Sequence, residues 1–217
     1  MTDLMHSSPA GGNEDEQLLQ MSASGRSSLA PTPRLLAAMA TAARAHDGHY
    51  RKSTRVPYIS HPVSVMLLAA RATDDEDTLV AALFHDILED VPEAYSEEQM
   101  RREFGEYVVT LVRGVTKSEA ISDWQGRADA YLEALARAEE GSVIVAAADK
   151  FHNLSATLAD LEADGTAVWE RFNAGADRQL WWYRSVRDVV AKRLPDLPLL
   201  PELDAMISRL ASIVEAQ

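Results

Sequence analysis

Four ionisable side chains, His85, Asp86, Glu89 and Asp90, interrupt the otherwise apolar stretch ALFHDILEDV at 82–91. Imidazole and carboxylate together ligate divalent cations, and further carboxylates beside them can take a proton from water. On one continuous helix His85 and Glu89 are i,i+4 neighbours, as are Asp86 and Asp90. All four then fall within about 140° of arc. Val80, Leu83, Phe84, Ile87 and Val91 occupy the opposite side. Alone, that pattern also describes an amphipathic helix with a solvated face. Ala82 counts against that description. It sits in the middle of the polar arc, where a wet face would carry Lys, Glu or Arg. Packed surface is expected there, and carboxylates beside packed surface need protons, cations or a metal.

Two further segments offer matching groups. In SVIVAAADKFHNL, 142–154, a run of mostly apolar residues leads into Asp149, and Asp149, His152 and Asn153 follow at i, i+3 and i+4 on one helical face. His61 stands with Pro62 at an expected helix start, where Ser60 or His61 would serve as cap. Alone, His61 reads as a capping or hydrogen-bonding residue. Together His61, His85, Asp86 and Asp149 make a nitrogen and oxygen donor set suited to Mn²⁺, Fe²⁺, Co²⁺ or Zn²⁺. A water on such an ion is acidic enough to attack phosphorus near neutral pH, and Glu89 and Asp90 would accept or orient its proton. Arg51 and Lys52 supply the local positive charge that an acidic chain needs to hold a polyphosphate.

These residues must be positioned by helices. Leu35, Leu36, Met39 and Ala43 recur at helical spacing, and a loop, DGHYRKSTRVPYIS, follows. A second helix starts at His61-Pro62, and DDEDTLVAALFHDILEDV reads as a strong third helix with an acidic first turn. A short helix and another after Gly105 come next. ADAYLEALARAE and SVIVAAADKFHNLSATLADLEAD are two more, with Gly141-Ser142 between them. TAVWERFN and DRQLWWYRSVRDVVAKRL follow, and a proline-rich bridge, PDLPLLPE, leads to a last helix, LDAMISRLASIVEA. No segment alternates with a period of two. The expected fold is all-α, with about nine helices. Residues 1–30, rich in Ser, Gly and acids, read as a disordered tail. Residues 31–194 read as the catalytic domain, and 195–217 as the bridge and terminal helix.

The 217 residues carry a net charge of −13 and no cysteine. The charge disfavours a nucleic-acid partner, which needs a basic face. The absence of thiols removes disulfides and thiolate metal sites and fits a cytoplasmic location. No stretch reaches the length of a membrane span, and the N-terminus lacks the pattern of a secretory signal. His46 and His49 read as surface residues or as neighbours of the site. The four tryptophans read as packing residues.

The motifs RKSTRVPYISHP at 51–62, HDILED at 85–90 and ADKFHN at 148–153 resemble the HD-domain superfamily of metal-dependent phosphohydrolases. More narrowly, they resemble the hydrolase domain of RelA/SpoT homologues, which removes the 3′-pyrophosphate from guanosine tetra- and pentaphosphate. WQGRADAYLEAL and DLEADGTAVWERFNAG…LWWYR extend the resemblance over roughly 33–190, toward bacterial hydrolase-only members without a synthetase domain. It implies His61, His85, Asp86 and Asp149 as metal ligands, with Mn²⁺ the expected ion. It implies Glu89 and Asp90 at the attacking water, and Arg51, Lys52, Ser53, Asn153 and one aromatic of Trp181, Trp182 and Tyr183, with Tyr183 preferred, at a small nucleotide substrate. Ala128 stands where such relatives usually carry Lys. Two alternatives stay open: the same machinery on another nucleotide (a nucleoside monophosphate, a dNTP or the 2′-phosphate of NADPH), or a non-catalytic nucleotide-binding or antitoxin module. A neighbouring toxin or synthetase partner is not readable from the chain.

Overall fold

Side-chain caps start two of the first three helices. Helix α1 (Pro33–Ala45) starts where the Thr32 side chain accepts a hydrogen bond from the Leu35 amide, with proline in the first turn. Helix α2 (Ser60–Ala69) follows the 46–59 loop. Helix α3 (Glu76–Phe84) is capped by Asp75, whose carboxylate accepts from the Thr78 amide. Every residue from Thr78 to Phe84 is buried, so α3 has no wet face and runs through the core. Ala82 is fully buried, in keeping with the packed surface expected there.

The structure, a computed structural model, describes residues 31–51, 54–118, 120–171 and 175–216. The expected tail, 1–30, and the candidate residues Lys52 and Ser53 lie outside the described residues. Pro31–Gln217 forms one compact unit.

The segment expected as one long third helix is broken. Helix α3 ends at Phe84, and a single turn, α4 (Ile87–Asp90), follows. His85 Nδ1 lies 2.8 Å from the Ala82 carbonyl oxygen. In a continuous helix that oxygen would accept from the Asp86 amide. The imidazole competes for it, and His85 and Asp86 turn inward at the junction instead of joining a helix face. Counted as one interrupted helix, α3 and α4 bring the α-helices among the described residues to nine.

Helix α5 (Glu97–Phe104) opens on a capping box made by Ser96 and Gln99, and α6 (Glu106–Arg113) follows Gly105, whose φ of 98° suits glycine. Helix α7 (Trp124–Leu135) is capped by Asp123. Helix α8 (Glu140–Asp164) is the longest, and its residues from Gly141 to Lys150 are all buried. It starts one residue before the break expected at Gly141-Ser142. Gly141 sits inside its first turn, where a Cβ would stand 2.5 Å from Thr78 Oγ1. The TAVWER segment forms a 3₁₀ turn, Gly165–Arg171, rather than an α-helix. Helix α9 (Gly175–Arg193) and helix α10 (Leu200–Glu215) complete the chain, α10 beginning within the expected bridge with proline in its first turn.

Helices α2, α3 and α8 pack against one another, and the candidate site lies where they meet. A second apolar cluster joins α8, α9 and α10 through Leu154, Leu158, Leu180, Leu203, Ile207 and Leu210. It packs the C-terminal half of α8, while α8 also packs against α2 and α3. Among the described residues there are no strands, only an isolated bridge between Tyr50 and Pro57, and no helix is long and apolar enough to cross a membrane.

Candidate metal centre

Helix α2 presents His61, the α3–α4 junction presents His85 and Asp86, and α8 presents Asp149. Their donor atoms converge. His61 Nε2 lies 3.2 Å from His85 Nε2, 3.3 Å from Asp86 Oδ2 and 3.2 Å from Asp149 Oδ1. His85 Nε2 lies 2.9 Å from Asp86 Oδ2 and 3.7 Å from Asp149 Oδ1. His61, His85 and Asp86 are the tightest group, with donors mutually within 4.8 Å, and Asp149 joins through its approach to both imidazoles. In six-coordinate geometry with bonds of about 2.0–2.2 Å, adjacent donors stand about 3 Å apart. The donor types and their spacing therefore fit a divalent ion.

The surrounding hydrogen bonds orient these donors. His85 Nδ1, facing the Ala82 carbonyl, must carry the proton, which leaves the Nε2 lone pair directed at the cluster. His61 Nδ1 lies 2.8 Å from His152 Nδ1. With His61 as donor there, its Nε2 lone pair also faces inward. The Tyr58 hydroxyl donates to Asp86 Oδ2 at 2.7 Å, and Asn153 Nδ2 donates to Asp149 Oδ1 at 2.5 Å. Asp149 Oδ2 pairs with the Lys150 ammonium. His61 is not a helix cap: Ile59 holds that position, His61 is 1% exposed, and its imidazole points into the cluster.

Charge balance explains the proton affinities. Burial alone would depress His85, but Asp86 and Asp149 outweigh it and push its pKa up to about 10. Burial opposes ionisation of Asp86 and Asp149, yet both are held well below the usual carboxylate range, the first mainly by His85 and the second mainly by Lys150. Burial would likewise lower Lys150, and Asp149 raises it instead. The buried Asp149 and the partly buried Asp86 thus demand positive charge at the cluster centre, which a proton or a divalent cation supplies. Burial, then His61, lowers His152 to about 4, so it stays neutral and can accept from His61. Burial and Asp86 raise Tyr58, which remains a phenol and a donor.

Glu89 and Asp90 sit one turn past Asp86, their amides donating to the Asp86 carbonyl at 3.2 and 2.8 Å. Burial, then Asp86, raises the pKa of Asp90. Glu89 faces Lys117, its Oε1 3.5 Å from Lys117 Nζ and its Oε2 3.3 Å from the Lys117 amide. Beside the cluster opens a cavity of about 620 Å³ lined by, among others, Arg51, Tyr58, Lys150, Asn153, Trp182 and Tyr183. Arg51 donates to Asn153 Oδ1 at 3.1 Å and lies over the Tyr58 ring. The candidate residues Arg51, Asn153 and Tyr183 thus share one cavity wall system.

Several contributors escape sequence reasoning. Lys117 and Lys150 also line the cavity, so among the described residues Arg51 is not the sole basic group beside the cluster. Of the three candidate aromatics, Trp182 lines it as well as the preferred Tyr183. His46, expected near the surface or beside the site, is 3% exposed and its ring centroid lies 4.8 Å from that of Tyr58. Lys150 follows Asp149 directly in sequence, a signal that was available; Lys117 reaches the site through the folding back of the segment after α6.

A model of the HD domain matches residues 38–177. A guanosine-3′,5′-bis(diphosphate) 3′-pyrophosphohydrolase of Haemophilus influenzae is 38% identical over 127 residues, covering 55% of this chain and 18% of that protein. The protein of the same description from Aquifex aeolicus is 40% identical over 104 residues, covering 48% of this chain and 15% of that one. The chain thus spans less than a fifth of the length of these curated relatives. A solved structure described as a metazoan orthologue of SpoT that hydrolyses ppGpp superposes with a TM-score of 0.69 at 28% identity, covering 83% of this chain and 97% of that chain.

Proposed function

This chain belongs to the HD-domain family, and from that premise we propose that it is a metal-dependent phosphohydrolase that removes the 3′-pyrophosphate from guanosine tetra- and pentaphosphate. The observation that carries this reading is the convergence of His61, His85, Asp86 and Asp149 beside a cavity of about 620 Å³ with cationic and aromatic walls. The names of the relatives supply the substrate class.

His61, His85, Asp86 and Asp149 would hold one divalent ion, with Mn²⁺ favoured by the all-nitrogen-and-oxygen donor set. Such an ion, when bound, polarises a phosphoryl oxygen and acidifies water. Tyr58 and Asn153 keep the two carboxylates aimed at that position. Glu89 and Asp90 take the proton of the water that attacks the phosphorus bonded to the 3′ oxygen. The raised proton affinity of Asp90 suits it to that role. A new oxygen–phosphorus bond forms, the bond between phosphorus and the 3′ oxygen breaks, and that oxygen takes a proton. GDP or GTP and pyrophosphate leave. Arg51, beside Tyr58 and Asn153, offers a flat cation to the base or to a phosphate, and Tyr183 lines the same cavity. Lys52 and Ser53 belong to the same substrate loop in this reading.

Hydrolysis in ¹⁸O-labelled water tests the direction of attack. Label in pyrophosphate and none in the nucleotide is expected. Label in the nucleotide, or release of orthophosphate alone, overturns the reaction.

A further inference from the structure

Lys117 and Lys150 converge on one pair of aromatic rings. Lys150 Nζ lies 5.7 Å from the Tyr131 centroid and 5.5 Å from that of Trp182, and Lys117 Nζ lies 5.9 Å from each. The two rings are themselves 5.3 Å apart. Tyr131 comes from α7 and Trp182 from α9, so two helices build the seat. Each ammonium also meets one carboxylate: Lys150 pairs with Asp149, and Lys117 approaches Glu89 at 3.5 Å. A lysine that only neutralised its carboxylate would need no such seat. Two like charges on the same rings repel, and the arrangement is useful when a further anion joins them.

Both lysines line the cavity beside the metal centre. Each ammonium has three N–H donors, more than its single carboxylate uses. The seat also adjoins a smaller cavity of about 300 Å³ lined by Glu89, Lys117, Trp124, Arg127, Gln179 and Trp182. Arg51, the other described cation on the larger cavity, stands with Tyr58 and Asn153 instead. The two lysines therefore flank the residues proposed to hold the ion and to move the proton, Asp149 and Glu89. A phosphate group one bridging oxygen beyond the attacked phosphorus belongs in such a place.

We infer that Lys117 and Lys150, seated on Tyr131 and Trp182, form a two-ammonium subsite for the terminal phosphate of the 3′-pyrophosphate. This rests on the function proposed above. It explains how a chain of net charge −13 gathers a doubly charged group next to two carboxylates.

The test is binding without turnover. The chelator-treated full chain is titrated by calorimetry with guanosine 5′-diphosphate 3′-diphosphate and with guanosine 5′-diphosphate 3′-monophosphate. Wild type should prefer the first ligand. Lys117→Met and Lys150→Met should each weaken it about ten- to a hundredfold, the range for loss of a charge-assisted bond, and change the second by less than about twofold. Lys117→Arg should restore most of the preference. Because Lys117 is partly exposed, its variants keep the test valid even if Lys150→Met fails to fold. Equal weakening of both ligands, or of neither, overturns the subsite while the substrate reading stands. A wild type that binds neither ligand overturns the subsite, while turnover by the metal-loaded chain decides the substrate reading.

Discussion

Removing one oxygen atom, by Tyr58→Phe, isolates the contribution of the residues around the metal. The Tyr58 hydroxyl donates to Asp86 Oδ2 at 2.7 Å. A hydrogen bond to a charged group contributes about 1.5–3 kcal/mol net. The ring itself remains, so its packing against His46, centroids 4.8 Å apart, survives. With the ion bound, the ion itself would also hold Asp86, so Asp86 is loosened rather than freed. The lower half of the range therefore applies, and about ten- to thirtyfold weaker Mn²⁺ binding is expected. The assay is calorimetric titration of Mn²⁺ into the chelator-stripped full chain at neutral pH. Thermal unfolding at a fixed metal excess gives an independent check, since a tenfold weaker dissociation constant removes about 1.4 kcal/mol of metal-derived stability. A dissociation constant within twofold of wild type would show that Tyr58 does not orient a metal ligand, and the orienting argument would fall.

Four other outcomes are expected. The double change Glu89→Gln and Asp90→Asn should lower kcat by about 10²–10⁴-fold while bound metal stays near one per chain, and full activity would remove the proton-handling role. Arg51→Ala should raise KM about tenfold with kcat little changed; an unchanged KM would mean that Arg51 only braces Asn153. Gly141→Ala should cost about 1–3 kcal/mol in urea unfolding, because its Cβ would press on Thr78 Oγ1 at 2.5 Å and on Leu111 at 3.0 Å. His46 is buried and burial lowers its pKa from 6.5 to about 4. The unfolded chain binds that proton more readily, so stability is complete above about pH 6.5 and falls as pH drops toward 4, by up to about 3 kcal/mol. His46→Leu should flatten part of that acid loss in chelator; an unchanged slope would exclude His46 as a source.

The site was more legible than the path that builds it. His85, Asp86 and Asp149 announce themselves because ionisable groups stand inside apolar runs, and the buried run before Asp149 is a single-sequence pattern. The break at His85–Asp86 was not legible. Periodicity continues smoothly across it, and only the competition of an imidazole for the Ala82 carbonyl interrupts the helix. Gly141 read as punctuation because glycine marks turns as often as close contacts, and only the approach of α3 distinguishes the two. His61 read as a possible cap, since one sequence cannot show that its imidazole turns toward residues 24 and 88 positions away. Lys117 is not legible for the same reason. Its relation to the site is made by the packing of α7 and α9, a long-range event that leaves no local pattern.

The central claim is that this chain cleaves a 3′-pyrophosphate with a metal held by His61, His85, Asp86 and Asp149. The most direct measurement incubates the Mn²⁺-loaded full chain with guanosine tetraphosphate, nucleoside monophosphates, dNTPs and NADPH in parallel, separating pyrophosphate from orthophosphate. GDP and pyrophosphate in equal amounts are expected from guanosine tetraphosphate, metal-dependent and abolished by His85→Ala. Orthophosphate from the other nucleotides with guanosine tetraphosphate untouched would contradict that claim.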